Sequence, residues 1–424
     1  MARPAINVEI DFASGPSFSY PLLLDSTAFG ILDENTLGDV PADIVNITDQ
    51  VLKVSTRRGR NRILSNFEAG TATVTINDPN SDFNPFNVDS PYFTKLLPLR
   101  KIRIYATTEF NGEIVQVNLF AGYITSYDTG FYEGVNTTST VVLQCVDGFR
   151  LLNNVATPAV GPVPGCTAGQ LSGTRVNALL DYASFPTSMR IINSGDSTMQ
   201  VDPGGSRSLL AAIQTVEQSE FGAFFMARSG KAVFLDRTAV SLAADATPRY
   251  YSDIAAPGSL EYSGIDFAYD DQLILNDVIV TPQGGTPEEV TDQFSIDTYF
   301  LKSGQRTGIL VQTQQEANDQ ARTLLAARKD ASLRIDSMTL DIYADNDEQT
   351  TLINLSSDIY SLVVITKSMS GGSIVTRELF IQGVQHDITP NNWTTKLLTA
   401  EPIIQAFILD SSNQGILDLN NLSY

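Results

Sequence analysis

Among 424 residues the sequence has one histidine, one tryptophan and two cysteines, and it sets only 27 basic side chains against 48 acidic ones. Each shortage closes off a class of chemistry. A catalytic triad would have to use His386, in "VQHDITPNNW", yet no G-x-S-x-G turn exists to present a serine to it. Lying at the end of a strand pattern beside Asp387, His386 reads as a structural residue hydrogen-bonded locally. One histidine and two cysteines far apart in the sequence fall short of the four ligands of a structural zinc site unless carboxylates contribute. Cys145 and Cys166 form no C-x-x-C pair and read as two inert thiols in a protein made in a reducing cytoplasm, with a single bridge between them left open. The formal charge of −21 repels phosphate backbones, which excludes nucleic-acid binding by attraction. No stretch approaches eighteen apolar residues, so no membrane-spanning helix is expected, and the opening "MARPAINVEID" lacks the basic and apolar regions of a signal peptide.

Other motifs fail on inspection. "GPVPGC" and "DPGGSRS" lack the G-K-[ST] ending of a phosphate-binding loop. "DSSNQG" near the C-terminus has the outline of a calcium loop, but the related "DSTAFG" places Phe29 where a ligand should stand. Paired carboxylates for glycoside hydrolysis stay open in principle, because no motif selects a pair. Trp393, at a strand start, reads as core or rim packing rather than as a platform for glycans. The sequence therefore assigns no catalytic residue, metal or cofactor.

What is present is mostly strand. A chain this long exceeds a single core, and two to four domains are expected. "GTATVTIND" alternates Ala72, Val74 and Ile76 with Thr71, Thr73 and Thr75, the period of a half-buried strand. "LRKIRIYATT", "VQVNLFAGYITSYD" and "STVVLQCVDGFRLLNN" continue the series, so residues 1–153 are expected to form a β-barrel or sandwich domain. The Pro/Gly-rich "TPAVGPVPGCTAGQLSG" then marks a boundary. Residues 165–255 are expected to be a small α+β domain: helices at "TRVNALLDYAS" and "SRSLLAAIQTVEQSEFG", the latter capped by Ser206 and ended near Gly222, then a hairpin turning at Ser229-Gly230. Residues 256–405 are expected to form a second β-barrel-like domain with one helix, striped by Ala317, Ala321, Leu324 and Leu325.

Two further features bear on contact. "LLLDSTAFGILDENTLG" (22–38) and "FILDSSNQGILDLNNLS" (407–423) match at nine of seventeen positions without a gap. Two readings stay open: paired docking segments at 22–38 and 406–424, or padding of two domains of common descent. In the docking reading Leu24/Leu409, Ile31/Ile416, Leu32/Leu417 and Leu37/Leu422 are the apolar anchors, and Asp25/Asp410 and Asp33/Asp418 cap local turns. The second feature is "STRRGRNR", where Arg57, Arg58, Arg60 and Arg62 surround Gly59 in an otherwise acidic chain. It reads as a docking loop for carboxylates of another copy or of an acidic partner, against the plainer reading of a solvated hairpin loop.

The order of motifs in "GRNRILSNFEAGTATVTINDPNSDFNPFNVDSPYFTKLLPLRKIRIYA", "LFAGYITSYD" and "VVLQCVDGFRLL" resembles the N-terminal region of baseplate-hub and tail-hub proteins of long-tailed bacteriophages. "ANDQARTLLAAR" and "IQGVQHDITPNNWTTKLLTAEP" are similar to the second barrel of the same family. The resemblance implies a mainly β fold with an α+β insert and two β-barrel-like domains. It also implies a homotrimer whose six barrels form a pseudo-sixfold ring at the tail tip of the virion. Such a ring joins a distal tail ring protein to tail fibre or tip proteins, meets the tape-measure protein, and lets DNA pass without binding it specifically. A distal tail protein, a homohexamer, is the competing assignment, and a virion-associated polysaccharide hydrolase the alternative from another class.

Overall fold

The computed structural model describes residues 3–13, 22, 43–60, 66–130, 139–242, 247–254, 257–345 and 347–401. The alternating segments become strands whose faces follow their period. In the strand Glu68–Asn77 Ala72, Val74 and Ile76 are buried, while the alternating Thr71, Thr73 and Thr75 lie on the other face.

Thirteen strands make one sheet. The first part of the chain supplies β1 (Ala5–Asp11), β2 (Ile44–Asn46), β3 (Val51–Gly59), β4 (Glu68–Asn77), β5 (Arg100–Phe110), β6 (Glu113–Gly130) and β7 (Thr140–Val146). The last part supplies β8 (Arg249–Ser252), β9 (Gly264–Ala268), β10 (Arg334–Asp341), β11 (Leu362–Ser368), β12 (Ile374–Thr389) and β13 (Asn392–Ala400). Neighbours run β9-β10-β13-β12-β3-β4-β7-β6-β5-β1-β2, with β11 on β12 and β8 parallel to β11. The fold is mainly β with α+β inserts, as expected. Among the described residues no pairing closes either half into a ring of strands; the halves are consecutive stretches of one sheet over a shared core that runs from Val74 and Leu143 to Met338, Leu340 and Trp393.

Five strands of each half repeat one another in order. Spatial order β5-β6-β7-β4-β3 in the first is β11-β12-β13-β10-β9 in the second, and both follow the chain in the same sequence. The irregularities coincide as well. Against β7, the register of β6 skips between Ile124 and Ser126; against β13, that of β12 skips between Ile381 and Gly383. Leu99 and Tyr360 each hold a φ of 64°, uncommon for residues with a side chain, and each donates its N–H to the residue before the skip, Leu99 to Ile124 O at 2.6 Å and Tyr360 to Ile381 O at 2.7 Å.

Two insertions flank this sheet. The helices Ser172–Tyr182 and Leu209–Glu220 pack on the hairpin Ala223–Met226/Ala232–Leu235, which turns at Ser229-Gly230. Ser208, not Ser206, caps the second helix, accepting from Ala211 N at 3.2 Å: residues 206 and 207 precede the extended residue from which the helix starts. Its left-handed end is Phe221 at φ 58°, while Gly222 is needed because a Cβ there would lie 2.3 Å from Leu235 O. The stripe Ala317, Ala321, Leu324 and Leu325 is buried as expected, but against a separate three-stranded sheet, Glu288–Thr291, Asp277–Pro282 and Ser303–Ile309, inserted between β9 and β10. The sheet also crosses the expected boundary near residue 255, since β8 pairs with β11.

Candidate functional site

The place where chemistry-bearing side chains converge is the seam between the two repeats. There β3 pairs antiparallel with β12, from Val54 opposite Ile388 to Gly59 opposite Gly383, and Arg60 N–H donates to Gln382 O at 2.9 Å. The approach is close. Gly59 has a φ of +99°, and a Cβ on it would lie 2.2 Å from Gln382 O and 2.5 Å from Gly383 Cα.

The described arginines of the expected docking loop, Arg57, Arg58 and Arg60, are distributed along this seam. Arg58, 4% exposed, donates from Nε to Leu119 O at 3.0 Å and from Nη2 to Asp358 Oδ1 at 2.5 Å. Arg228 approaches the other oxygen of Asp358 at 3.5 Å. Burial alone would raise the Asp358 carboxyl, but the two guanidinium charges outweigh it and hold the group below the usual carboxylate range. Arg60, also buried, donates to Gln382 Oε1 at 2.9 Å and to the Tyr360 hydroxyl at 2.8 Å, and lies 4.4 Å over the Phe67 ring. Burial pushes the Tyr360 hydroxyl up to about 12. Of these three, only Arg57 faces outward, paired with Glu68 at 2.9 Å where both are half exposed, an arrangement that contributes little.

The docking-loop expectation thus fails for Arg58 and Arg60. Arg58 lies within β3, which runs on to Gly59 instead of turning at the arginines, and both guanidinium groups are used inside the chain. Arg62 and the segment residues Leu24, Asp25, Ile31, Leu32, Asp33, Leu37, Leu409, Asp410, Ile416, Leu417, Asp418 and Leu422 lie outside the described residues.

His386 is a neighbour of this seam. It is buried, and its Nδ1 lies 2.8 Å from Thr395 Oγ1 and 3.5 Å from Trp393 Nε1. An indole N–H can only donate, so Nδ1 accepts and the proton belongs on Nε2. Burial, then the nearby Arg58, lowers its pKa to about 3, which keeps the ring neutral around pH 7. Trp393 is fully buried, and its ring meets Tyr343 edge-on at 6.1 Å. Cys145 and Cys166 are both buried and unbridged, in two different clusters.

Glu217, on the helix Leu209–Glu220, is buried near the same seam. Burial pushes its pKa up to about 7, with Arg60 and Arg306 opposing. A folded-state pKa above the unfolded value means that this group's contribution is full below about pH 4.5 and is lost as pH rises through about 7. Glu217→Gln should therefore flatten the fall in stability between pH 5 and pH 8, by on the order of 1 kcal/mol against the parent in urea denaturation. Asp147, raised to about 7 by burial, leaves a residual slope of the same sign.

Sequence reasoning missed Asp358, Tyr360, Gln382 and Glu217, because pairs such as Arg58–Asp358 are 300 residues apart. One signal was legible: "LFAGYITSYD" and "LFIQGVQHDI" lie on the equivalent strands β6 and β12. What the seam can do is mechanical. It fixes the angle and register of two like units within one chain.

No protein-family model matches the sequence, nor does any curated protein. Solved structures do match in fold. The tail protein from Neisseria meningitidis MC58 superposes with a TM-score of 0.56 at 12% identity, over 95% of this chain and 98% of that one. The 43 kDa tail protein of prophage MuSo2 from Shewanella oneidensis gives 0.52 at 11% identity, over 85% and 96%. The fold of this chain is thus similar to that of two solved tail proteins, one of them from a prophage, over nearly their whole length.

Proposed function

We propose that this protein is a structural, non-enzymatic subunit of a phage tail, a hub ring at the tail tip that closes the tube and joins a sixfold distal ring to threefold tip or fibre proteins. The observation that carries the reading is the five-strand repeat: three chains present six like units, the number needed to meet a sixfold ring with every equivalent surface paired. The fold's likeness to phage tail proteins supports the setting. The two seventeen-residue copies fit the same count, one for each unit, as docking segments toward the ring. A charge of −21 suits a lumen through which DNA slides without adhering. The mass of the purified protein in solution tests the reading. Three chains per particle are expected; six would favour the distal ring, and a single chain at high concentration would overturn both.

A further inference from the structure

The repeat leaves one joint made and its counterpart unmade. Within the chain, β12 is flanked on one edge by β13 and on the other first by β11, up to Phe380, and then by β3 from Gly383 to Ile388. Its equivalent β6 is flanked by β7 and, on the other edge, by β5 up to Ile124. Beyond that, among the described residues, no strand lies opposite Ser126–Gly130. Conversely, among the described residues, β9, the equivalent of β3, is an end strand of the sheet and pairs with β10 alone. Among the described residues, one chain therefore carries a copy of each half of its own seam with no strand paired to it.

We infer that β9 of one chain pairs antiparallel with Ser126–Gly130 of β6 in the next, repeating between chains the β3–β12 joint made within each. The inference rests on the assembly read above and names its contact surface. Register follows from the internal match. Val54 and Ile265 face the equivalent core residues Val74 and Met338, and the skips align Ser126 with Gly383. Transferring the β3–β12 register then sets Asp266 opposite Gly130, Phe267 opposite Thr129, Ala268 opposite Asp128 and Tyr269 opposite Tyr127.

The side chains fit. Tyr269 stands where Arg58 does in the seam, and Leu97 where Asp358 does, counting back from Leu99 and Tyr360. Arg58 is 4% exposed, whereas Tyr269 is 70% exposed and Leu97 50%. Tyr127 already donates its hydroxyl to Leu97 O at 3.3 Å, which brings the receiving aromatic ring beside the receiving leucine. The ion pair inside the chain is thus matched between chains by an apolar contact and a cross-strand aromatic pair. Such a contact is head-to-tail, so it closes a ring when the rotation per chain divides a full turn.

Paired cysteines test it in the full chain. Directly opposed residues of an antiparallel pair lie within disulfide reach, and the native Cys145 and Cys166 are buried. The double variant Ala268→Cys/Asp128→Cys, oxidised at a concentration where the mass shows an assembly, should give two- and three-chain species on a denaturing gel. Either single variant should give none, and a mixture of the two singles only pairs. Asp266→Cys/Gly130→Cys is the second double, should the first disturb folding. An assembly of three that yields no cross-link in either double overturns the junction while leaving the hub reading standing. Cross-links within single variants would show a two-fold contact and also overturn it. Ladders beyond three chains support the junction but sink the threefold ring, and a protein of single-chain mass defeats both.

Discussion

Gly59→Ala should lower stability by about 4 kcal/mol and separate the two repeats, a large effect for a single methyl group. Two costs combine. Holding alanine at a φ of +99° costs about 1–3 kcal/mol, since an L side chain rarely adopts that conformation. Its Cβ would also lie 2.2 Å from Gln382 O, and that carbonyl belongs to the backbone of β12, which cannot move aside without breaking the hydrogen bond from Arg60 N–H. Overpacking of this kind costs a further ~1–3 kcal/mol. Gly112 supplies the control: its φ of +81° is comparable, but nothing lies within 4 Å of an added Cβ. Gly112→Ala should thus cost only the conformational share. Urea denaturation can follow both variants through Trp393, the single tryptophan, which is fully buried in the second repeat. Equal losses in the two variants would show that the close approach of β3 to β12 contributes nothing.

The contrast between those glycines shows what the sequence could and could not disclose. Alternation in "GTATVTIND" and the apolar stripe at Ala317, Ala321, Leu324 and Leu325 are local patterns, and the elements formed where expected. A helix stripe, however, says that a face is buried and not against what; this one covers a small inserted sheet rather than the main one. The arginine run was misleading for a related reason. Exposure is the ordinary state of arginine, and nothing within ten residues of Arg58 announces that Asp358 and Leu119 O will accept its hydrogen bonds. The repeat of topology was half visible. Its L-F-x-x signature recurs at 119 and 379, but in the structure Ile124 matches Ile381, so the repeated letters sit three positions off the structural register, and only strand pairing reveals the true alignment.

Asp358→Ala is expected to cost about 3 kcal/mol, because it leaves the buried guanidinium of Arg58 without its counter-charge, and the price of an unpaired buried charge exceeds the net value of the pair. Arg228 is less affected, as its side chain is 29% exposed and can turn to water. The double variant Arg58→Met/Asp358→Ala should recover most of the loss, since methionine fills the apolar volume and removes the stranded charge. A double-mutant cycle by urea denaturation measures the coupling; additive losses would mean that the two side chains act independently. The cycle also separates stability from geometry. If the ion pair serves chiefly to fix register, the double variant should fold well yet assemble less completely, because the angle between repeats decides where β9 and Ser126–Gly130 are presented to the next chain. In that case the seam's buried charges are retained for the fit between subunits, a role that an apolar replacement of equal stability does not fill.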